Sequence, residues 1–312
     1  MTPFRTCAVI GAGTMGMDIA LTLVRAGRTT HLVETFDAVR QALPARLAAG
    51  LAGLGCTHRA DRITVHAAIG AVPWSSVDLV IEAVPEKLDM KQRLFADLLP
   101  RLRADALLTS NSSSFPISAI AQGLPTAQRL FGLHYFMPAH LVPLVEVVCG
   151  PQSDPALAAS LADFMRATGK VPVIVKKDLP GFLANRLQHA LAREALALVE
   201  SGVASVADVD AAVRFGFGFR FLAAGPLLQR DHAGLDVHAA AAATMYPGLA
   251  DNKAPSSALT DRVQAGRLGM KAGGGFYDWT PVQIAKERAR YEGLLRAGLA
   301  LLEPELPPIR GD

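Results

Sequence analysis

Residues 7 to 25 join an apolar strand to an amphipathic helix through a glycine-rich turn. The turn reads GAGTMG, so its glycines have the spacing GxGxxG. Glycine at these positions permits a tight turn, the close approach of a pyrophosphate and the packing of the helix against the strand. Free N–H groups and the helix dipole attract phosphates. The pattern predicts a dinucleotide site, although the glycines would also suit a tight turn alone. The predicted contacts are Gly11, Gly13, Thr14, Met15 and Gly16.

An acidic residue ends the second predicted strand, HLVET, 23 residues after Gly11. This residue, Glu34, is expected to accept hydrogen bonds from the adenosine ribose hydroxyls, and its charge would repel a 2′-phosphate. The sequence therefore favours NAD over NADP. Arg28 and Arg40 lie close by in sequence, and a guanidinium folded over the site would instead hold a phosphate.

Short β-branched runs alternate with helical stretches from residue 7 to about 177. Such alternation indicates crossover connections and a largely parallel sheet with helices on both faces. The predicted strands are CAVIGAG, HLVET, RITVHA, VDLVIEAV, ALLTSN, RLFGLHYF, LVEVV and VPVIVKK. After DLPG the strand signals stop, and Ala- and Leu-rich helical patterns follow. The sequence predicts a Rossmann-type doubly wound α/β domain over residues 1–178 and an all-helical domain over 179–312.

Composition narrows the class of partner. The chain has 312 residues, of which 51% are hydrophobic, and a net charge of +3 with acids and bases interspersed. This length suits two domains, and the charge pattern does not favour nucleic acid, so we expect a small-molecule substrate. Three widely spaced cysteines favour a reducing cytoplasm. The N-terminus shows no leader pattern, and no apolar run is long enough to span a membrane.

A histidine and a glutamate stand twelve residues apart in GLHYFMPAHLVPLVEVV. Glu146 lies in the middle of LVEVV, a strand that is expected to be buried. A buried carboxylate is costly unless it is paired, and the obvious partner is His134. The alternative for His134 is a structural histidine at a strand end whose hydrogen bonds are satisfied.

Five motifs occur in one order along the chain: GAGTMG, EAVPEKLDMKQ, SNSSS, the His–Glu pair and DLPGFLANR. With GMKAGGGFYDW near the C-terminus, they make the chain similar to the L-3-hydroxyacyl-CoA dehydrogenase family over nearly its whole length. The resemblance implies an NAD-binding α/β domain followed by a helical dimerisation domain, and thus a homodimer. It also implies NAD-dependent oxidation of a secondary alcohol to a ketone.

The resemblance assigns site residues by position. His134 would be the general base and Glu146 its orienting partner, which agrees with the ability of histidine to accept a proton near neutral pH. Ser113 and Asn185 would hydrogen-bond the substrate oxygen. Either serine neighbour of Ser113 would equally cap the following helix, and Asn185 would equally bond a loop carbonyl. The residues implied at the cofactor are Glu86 and Lys91, near the nicotinamide, and Lys271, which closes over it.

Three departures from the family pattern concern the substrate. Met137 stands where the family usually has asparagine, in H-x-F-N-P. Residues 36–76 are shorter than the CoA-binding hairpin of the family and contain no lysine, although Arg40, Arg46, Arg59 and Arg62 remain. The segment GFGFRFLAAGPLLQRD contains Arg220 and is similar to segments of gulonate and carnitine dehydrogenases, which act on free hydroxy acids. A guanidinium can bind a free carboxylate bidentately, whereas a thioester has no charge to offer.

The leading hypothesis is an NAD-dependent oxidoreductase that acts on a 3-hydroxyacyl-CoA or on a small 3-hydroxy carboxylic acid. An aromatic or heterocyclic carboxylate that bears an alcohol or aldehyde, held by Arg220, is the alternative substrate. An alternative of another class is a non-catalytic NAD-binding protein or a crystallin-like structural protein.

Overall fold

The computed structural model describes residues 4–311, and the first three residues of the predicted N-terminal domain lie outside that range. An eight-stranded sheet has the order β3-β2-β1-β4-β5-β6-β7-β8. The strands are β1 (Thr6–Ile10), β2 (Thr29–Val33), β3 (Ile63–His66), β4 (Leu79–Glu82), β5 (Leu107–Ser110), β6 (Leu130–Tyr135), β7 (Leu144–Cys149) and β8 (Val171–Val175). All neighbouring strands are parallel except β6 and β7. The predicted doubly wound fold is confirmed.

Helices cover both faces of the sheet. The helices of this part of the chain are α1 (Thr14–Arg25), α2 (Asp37–Gly53), α3 (Leu88–Leu98), α4 (Ile117–Ile120) and α5 (Pro155–Ala167). Successive strand residues point to opposite faces, so Cys7 and Val9 of β1 pack on the α1 side and Ala8 and Ile10 on the α3 side. Burial on both faces explains why the strands are continuous apolar runs rather than alternating ones.

The strand order reverses between β1 and β4. The chain runs outward from β1 through β2 to β3 and then returns to place β4 on the other side of β1. In open α/β sheets, ligands bind beyond the carboxyl ends of the strands at such a switch point. The glycine-rich turn follows β1 directly, so the predicted dinucleotide site lies at this position.

The β6–β7 pair is antiparallel because only residues 136–143 connect the two strands. A parallel return requires a crossover of a dozen or more residues. The antiparallel register places His134 directly opposite Glu146. The short connection therefore brings together the two residues that the sequence analysis pairs.

Contacts within the chain divide it into two compact units, one up to Asn185 together with the residues from Glu303, the other Arg186–Leu302. The sequence-based boundary lies at residue 178, seven residues earlier. Phe182 belongs to the core of the first unit, and Arg310 N donates to Ala167 O, so both segments join that unit. The remaining α-helices are α6 (Ala184–Glu200), α7 (Val206–Ala211), α8 (Leu228–Ala233), α9 (Leu235–Met245), α10 (Ser257–Gln264) and α11 (Pro281–Leu302). Over the described residues, no helix combines the length and the apolar character needed to cross a membrane.

Candidate active site

The glycine-rich turn has the geometry that a bound pyrophosphate requires. Gly11 has a φ of 97°, and a Cβ there would lie 2.6 Å from the carbonyl oxygen of Ala83. A Cβ on Gly16 would lie 1.8 Å from the carbonyl oxygen of Gly11, so a side chain is excluded there. Above Gly13 there is open space, and no side chain caps the N-terminus of α1. The N–H groups of Thr14 and Met15, at the start of the helix, are therefore suited to a phosphate.

Glu34 is buried at the end of β2, with a hydrogen bond to each of its carboxylate oxygens. Ala12 N donates to Oε2 at 3.0 Å, and Phe36 N donates to Oε1 at 2.9 Å. These bonds fix the carboxylate beside the glycine-rich turn, where it can accept from ribose hydroxyls. The residues around the turn thus fit a dinucleotide.

The two arginines near Glu34 are bonded elsewhere. Arg40 donates to the carbonyl oxygen of Glu34 at 3.1 Å and pairs with Asp37. Arg28 is 1% exposed and donates to the carbonyl oxygen of Arg310 at 2.9 Å. This arrangement favours NAD over NADP, because both guanidinium groups already have partners within the protein.

His134 and Glu146 form a buried hydrogen-bonded pair. His134 Nδ1 lies 2.8 Å from Glu146 Oε2, and the two residues are 4% and 0% exposed. A carboxylate can only accept, so the proton of neutral His134 belongs on Nδ1 and Nε2 is the free acceptor. The rings of Phe136 and Phe182 flank the imidazole, with centroids 4.5 and 5.6 Å from it. The pair can therefore accept a proton from a substrate at Nε2.

The second oxygen of Glu146 is also satisfied. Oε1 accepts hydrogen bonds from Leu183 N at 3.1 Å and from Ala184 N at 2.7 Å. A left-handed turn, with φ of 76° at Gly181 and 50° at Phe182, precedes these two amides. Two N–H donors and an imidazole together compensate a buried negative charge, which explains how an acid is tolerated inside an apolar strand.

The three consecutive serines at the end of SNSSS, residues 112–114, differ in their contacts. Ser112 and Ser114 donate their hydroxyls to Glu86 Oε1, at 2.5 and 2.7 Å. Burial alone would raise the pKa of Glu86, but these bonds and the ammonium of Lys91 outweigh burial and lower that pKa to about 2. Ser113 is exposed, and the two neighbouring serines occupy Glu86. Among the three, Ser113 therefore has the hydroxyl best suited to meet a substrate.

Lys91 is buried between two carboxylates at the carboxyl end of β4. Its Nζ lies 2.7 Å from Glu82 Oε1 and 3.1 Å from Glu86 Oε2. Glu82 is fully buried and also accepts from the Ser110 hydroxyl at 2.5 Å and from Val84 N at 2.8 Å. Glu82 is missing from the sequence-based prediction, although an acid inside VIEAV is the same signal as the acid inside LVEVV.

Asn111 is a second residue that the sequence analysis missed. Its Oδ1 accepts from Tyr135 N at 2.9 Å, and its own N–H donates to the carbonyl oxygen of Glu82 at 2.8 Å. Asn111 thereby ties the ends of β4, β5 and β6 together, beside His134. A polar residue at the end of a buried parallel strand is the signal that would have identified it.

The structure does not join all of the predicted site residues by direct contacts. Asn185 is half-buried in the first turn of α6, next to the Ala184 amide that bonds Glu146. Arg220 and Lys271 belong to the second unit, and both are exposed. Arg220 lies in a 3₁₀-helix, Phe219–Leu222, which follows a π-helix, Ala212–Phe217. Short π-helical segments are frequent at functional sites.

Comparisons with known proteins cover both parts of the chain. The family models "3-hydroxyacyl-CoA dehydrogenase, NAD binding domain" and "C-terminal domain" match residues 6–179 and 181–279. A 5-formyl-3-hydroxy-2-methylpyridine 4-carboxylate 5-dehydrogenase of Mesorhizobium japonicum is 33% identical over 92% of this chain and 95% of its own. The human mitochondrial hydroxyacyl-coenzyme A dehydrogenase is 33% identical over 87% of this chain and 90% of its own.

Two solved structures show that the fold is shared with relatives of known structure. The crystal structure of a 5-formyl-3-hydroxy-2-methylpyridine 4-carboxylic acid 5-dehydrogenase, described as an NAD⁺-dependent dismutase, has a TM-score of 0.91 at 31% identity and covers 96% of this chain and 99% of its own. That of an (S)-3-hydroxybutyryl-CoA dehydrogenase from Ralstonia eutropha has a TM-score of 0.73 at 30% identity and covers 89% and 99%. The predicted family and cofactor are confirmed. The chain belongs to the 3-hydroxyacyl-CoA dehydrogenase family and is an NAD-dependent dehydrogenase that acts on a CH–OH group.

Proposed function

We propose that His134 is the general base of the reaction and that Glu146 orients it. Bound NAD supplies the acceptor for the hydride that leaves the alcohol carbon. The hydroxyl proton moves to His134 Nε2, while Glu146 holds Nδ1–H and stabilises the imidazolium that forms. Ser113 and Asn185 hydrogen-bond the substrate oxygen. The 2.8 Å contact between His134 and Glu146 is the observation that carries this mechanism.

The proposed contacts to the cofactor follow the same geometry. The turn residues Gly11, Gly13, Thr14, Met15 and Gly16 hold the pyrophosphate, and Glu34 holds the adenosine ribose. Glu86 and Lys91 contribute at the nicotinamide end, where the low pKa of Glu86 keeps it negatively charged. Lys271, in the helical unit, is a further proposed cofactor contact, which the family resemblance supports.

We further propose that the substrate is a free carboxylic acid rather than a CoA thioester. Residues 36–76 contain no lysine, and the guanidinium groups in this segment bind main-chain carbonyl oxygens of the protein. The pairs are Arg40 with Glu34, Arg46 with Ala12, Arg59 with Arg25, and Arg62 with Gly27. Cations that are already committed to the backbone are poorly placed to bind the phosphates of CoA. Arg220 is the proposed partner of the substrate carboxylate.

A pyridine-type carboxylate is a specific candidate within this class. The Mesorhizobium relative is named for such a substrate, and the related crystal structure superposes with a TM-score of 0.91. Phe219 and Phe221 flank Arg220 in sequence and are 67% and 45% exposed. An exposed guanidinium and exposed aromatic rings on one short helix are groups that suit a flat, negatively charged substrate. Acyl-CoA remains the second candidate, because other relatives are named 3-hydroxybutyryl-CoA dehydrogenases.

A substrate panel with matched variants tests this choice. The panel contains 3-hydroxybutyrate, a pyridine carboxylate with an alcohol or aldehyde, and 3-hydroxybutyryl-CoA, with NADH absorbance as the readout. In Arg220→Leu, KM for the carboxylates is expected to rise about 10- to 100-fold, which corresponds to the loss of a ~1.5–3 kcal/mol charged hydrogen bond. KM for 3-hydroxybutyryl-CoA should stay within about twofold, since its acyl end is a neutral thioester and has no carboxylate for Arg220 to bind.

The control for this experiment is Arg214→Leu. Arg214 lies in the same unit and stacks on Phe215, with its guanidinium carbon 4.8 Å from the ring centroid. That variant should keep the KM of the parent protein for every substrate. Turnover of the thioester alone, or equal KM changes for thioester and carboxylates in Arg220→Leu, would refute the free-acid proposal.

A homodimer formed through the helical unit is also proposed. Large apolar side chains are widely exposed in that unit, including Phe215 at 70%, Leu227 at 81% and Leu301 at 73%. Apolar surface on this scale usually marks an interface. Sedimentation at micromolar concentration should give twice the 32.9-kDa mass of the chain, and a monomer would contradict the proposal.

The cytoplasm is the proposed location. Cys7 and Cys56 are buried, Cys149 is half-buried, and none of the three forms a disulfide in the described structure. Free thiols of this kind are typical of a reducing compartment. Cell fractionation with an antibody checks the proposal.

A further inference from the structure

A buried carboxylate links the dinucleotide-binding helix to the loop that follows the catalytic strand. Asp18 lies on α1, two residues after Gly16, and is 4% exposed. Its Oδ2 accepts a hydrogen bond from Ala139 N at 3.1 Å, although the two residues are 121 positions apart. His140 Nδ1 lies 3.0 Å from the same oxygen without forming a hydrogen bond to it. One side chain of α1 thus contacts two successive residues of the 136–143 loop.

A buried lysine holds the same loop from the other side. Lys170, directly before β8, is 1% exposed, and its Nζ donates to the carbonyl oxygens of Ala139 and Val142. Burial lowers the pKa of Lys170 to about 7, with a further lowering by Arg25 and an opposing effect of Asp18. A neutral amine keeps two N–H donors, which is the number that these two carbonyls need. Lys170 can therefore keep both hydrogen bonds to the loop in either protonation state.

The 136–143 loop contains a residue that contacts the imidazole of the proposed base. Phe136 is its first residue, and its ring packs 4.5 Å from the ring of His134. Ala139 is fully buried between Asp18 and Lys170, whereas Met137 is 65% exposed. Fixing the loop at Ala139 leaves Phe136 little freedom to move away from the imidazole. Any effect of Asp18 and Lys170 on His134 therefore passes through Phe136 rather than through a direct bond.

We propose that Asp18 and Lys170 are positioning residues for catalysis: they lock the 136–143 loop to α1 and so hold Phe136 against His134. This inference rests on the proposed role of His134 as the base. It adds that the helix that binds the pyrophosphate and the strand that bears the base are held in register by one carboxylate. Asp18 touches neither the base nor the reacting atoms, so it acts only through the loop.

Asp18→Ala and Asp18→Asn test the proposal together. Alanine removes the acceptor for Ala139 N–H, whereas the asparagine amide oxygen can still accept that bond. Hydrogen–deuterium exchange on the ligand-free protein should show faster exchange of peptides from 136–143 in Asp18→Ala and near-normal exchange in Asp18→Asn. The proton on His134 Nδ1, seen by NMR and assigned by its loss in His134→Ala, should broaden or disappear in Asp18→Ala and persist in Asp18→Asn.

Turnover and a matched control complete the test. In Asp18→Ala, kcat should fall about 10- to 100-fold, the range expected for a displacement of about 1 Å in a catalytic group. Asp78 provides the control, because its Oδ2 also accepts distant main-chain N–H groups, those of Arg5 and Thr6, but at the amino ends of β1 and β4. Asp78→Ala should leave the exchange of 136–143, the His134 signal and kcat, per folded molecule, as in the parent protein.

Three results would overturn the proposal. The first is unchanged exchange of the loop in Asp18→Ala, and the second is a normal His134 signal and kcat despite faster exchange. The third is an equal loss in Asp78→Ala, which would point to general destabilisation. Failure of the base assignment is a separate result, since it is read from full turnover in His134→Ala, while exchange and NMR report on the loop without any substrate.

Discussion

Replacing His134 with alanine is expected to lower kcat by a factor on the order of 10² to 10⁴, the contribution typical of a general base. In the proposed mechanism the imidazole accepts the hydroxyl proton at Nε2, because Nδ1 lies 2.8 Å from Glu146 Oε2 and is bonded to it. Removal of the ring removes the proposed proton acceptor. Binding of NAD should change little, because the glycine-rich turn and Glu34 do not contact His134.

Steady-state kinetics and calorimetric titration with NAD measure the two effects separately. His58→Ala is the control, since His58 is an exposed histidine in the short helix Thr57–Arg62 and should tolerate the change. Undiminished turnover in His134→Ala would remove the base assignment. A parallel loss of NAD affinity would instead indicate damage to the fold.

Replacing Glu146 with glutamine is expected to lower kcat by about 10³- to 10⁴-fold, with the protein still folded. The amide has a single oxygen, whereas Glu146 accepts bonds at both of its oxygens. If the amide oxygen faces Leu183 N and Ala184 N, the amide NH₂ faces His134 Nδ1. The imidazole must then carry its proton on Nε2, where it cannot accept one from the substrate.

The measurement is kcat together with thermal unfolding. Asp154→Asn is a suitable control, because Asp154 Oδ1 also accepts two successive main-chain N–H groups, those of Ala156 and Leu157, at the start of α5. That variant makes the same carboxylate-to-amide change at a distance from the base, where the remaining amide oxygen can still accept both bonds, and it should keep kcat. Nearly full activity in Glu146→Gln would mean that Glu146 serves the fold and does not set the His134 tautomer.

The His134–Glu146 contact could be predicted because an acid inside a buried strand requires a partner, and a histidine precedes it at a distance that suits a strand return. The same signal exists at Glu82, but its partner Lys91 lies on the following helix rather than on a neighbouring strand. Strand periodicity alone therefore does not pair them. Asp18 gives no such signal, because its partner Ala139 contributes only a main-chain N–H.

The second set of donors to Glu146 was beyond sequence reasoning for a different reason. The amides of Leu183 and Ala184 reach the carboxylate only because the chain turns with a left-handed residue at Phe182. Phenylalanine rarely adopts a positive φ, so its presence in the sequence does not indicate such a turn as a glycine would. The sequence-based boundary at residue 178 precedes this turn, since the strand pattern ends there while the contacts of the first unit continue.

The arginines that bind main-chain carbonyls also bear on enzyme redesign. Each of them donates a hydrogen bond to a carbonyl oxygen. A redesign that turned Arg59 or Arg62 outward to bind CoA would leave that oxygen without its donor. For a protein with the proposed free-acid specificity, binding of CoA would have to be introduced with additional lysines on α2, leaving the existing guanidinium groups in place. Substrate specificity at α2 would then change through added surface cations, while the bonds between the arginines and the main chain stay as they are.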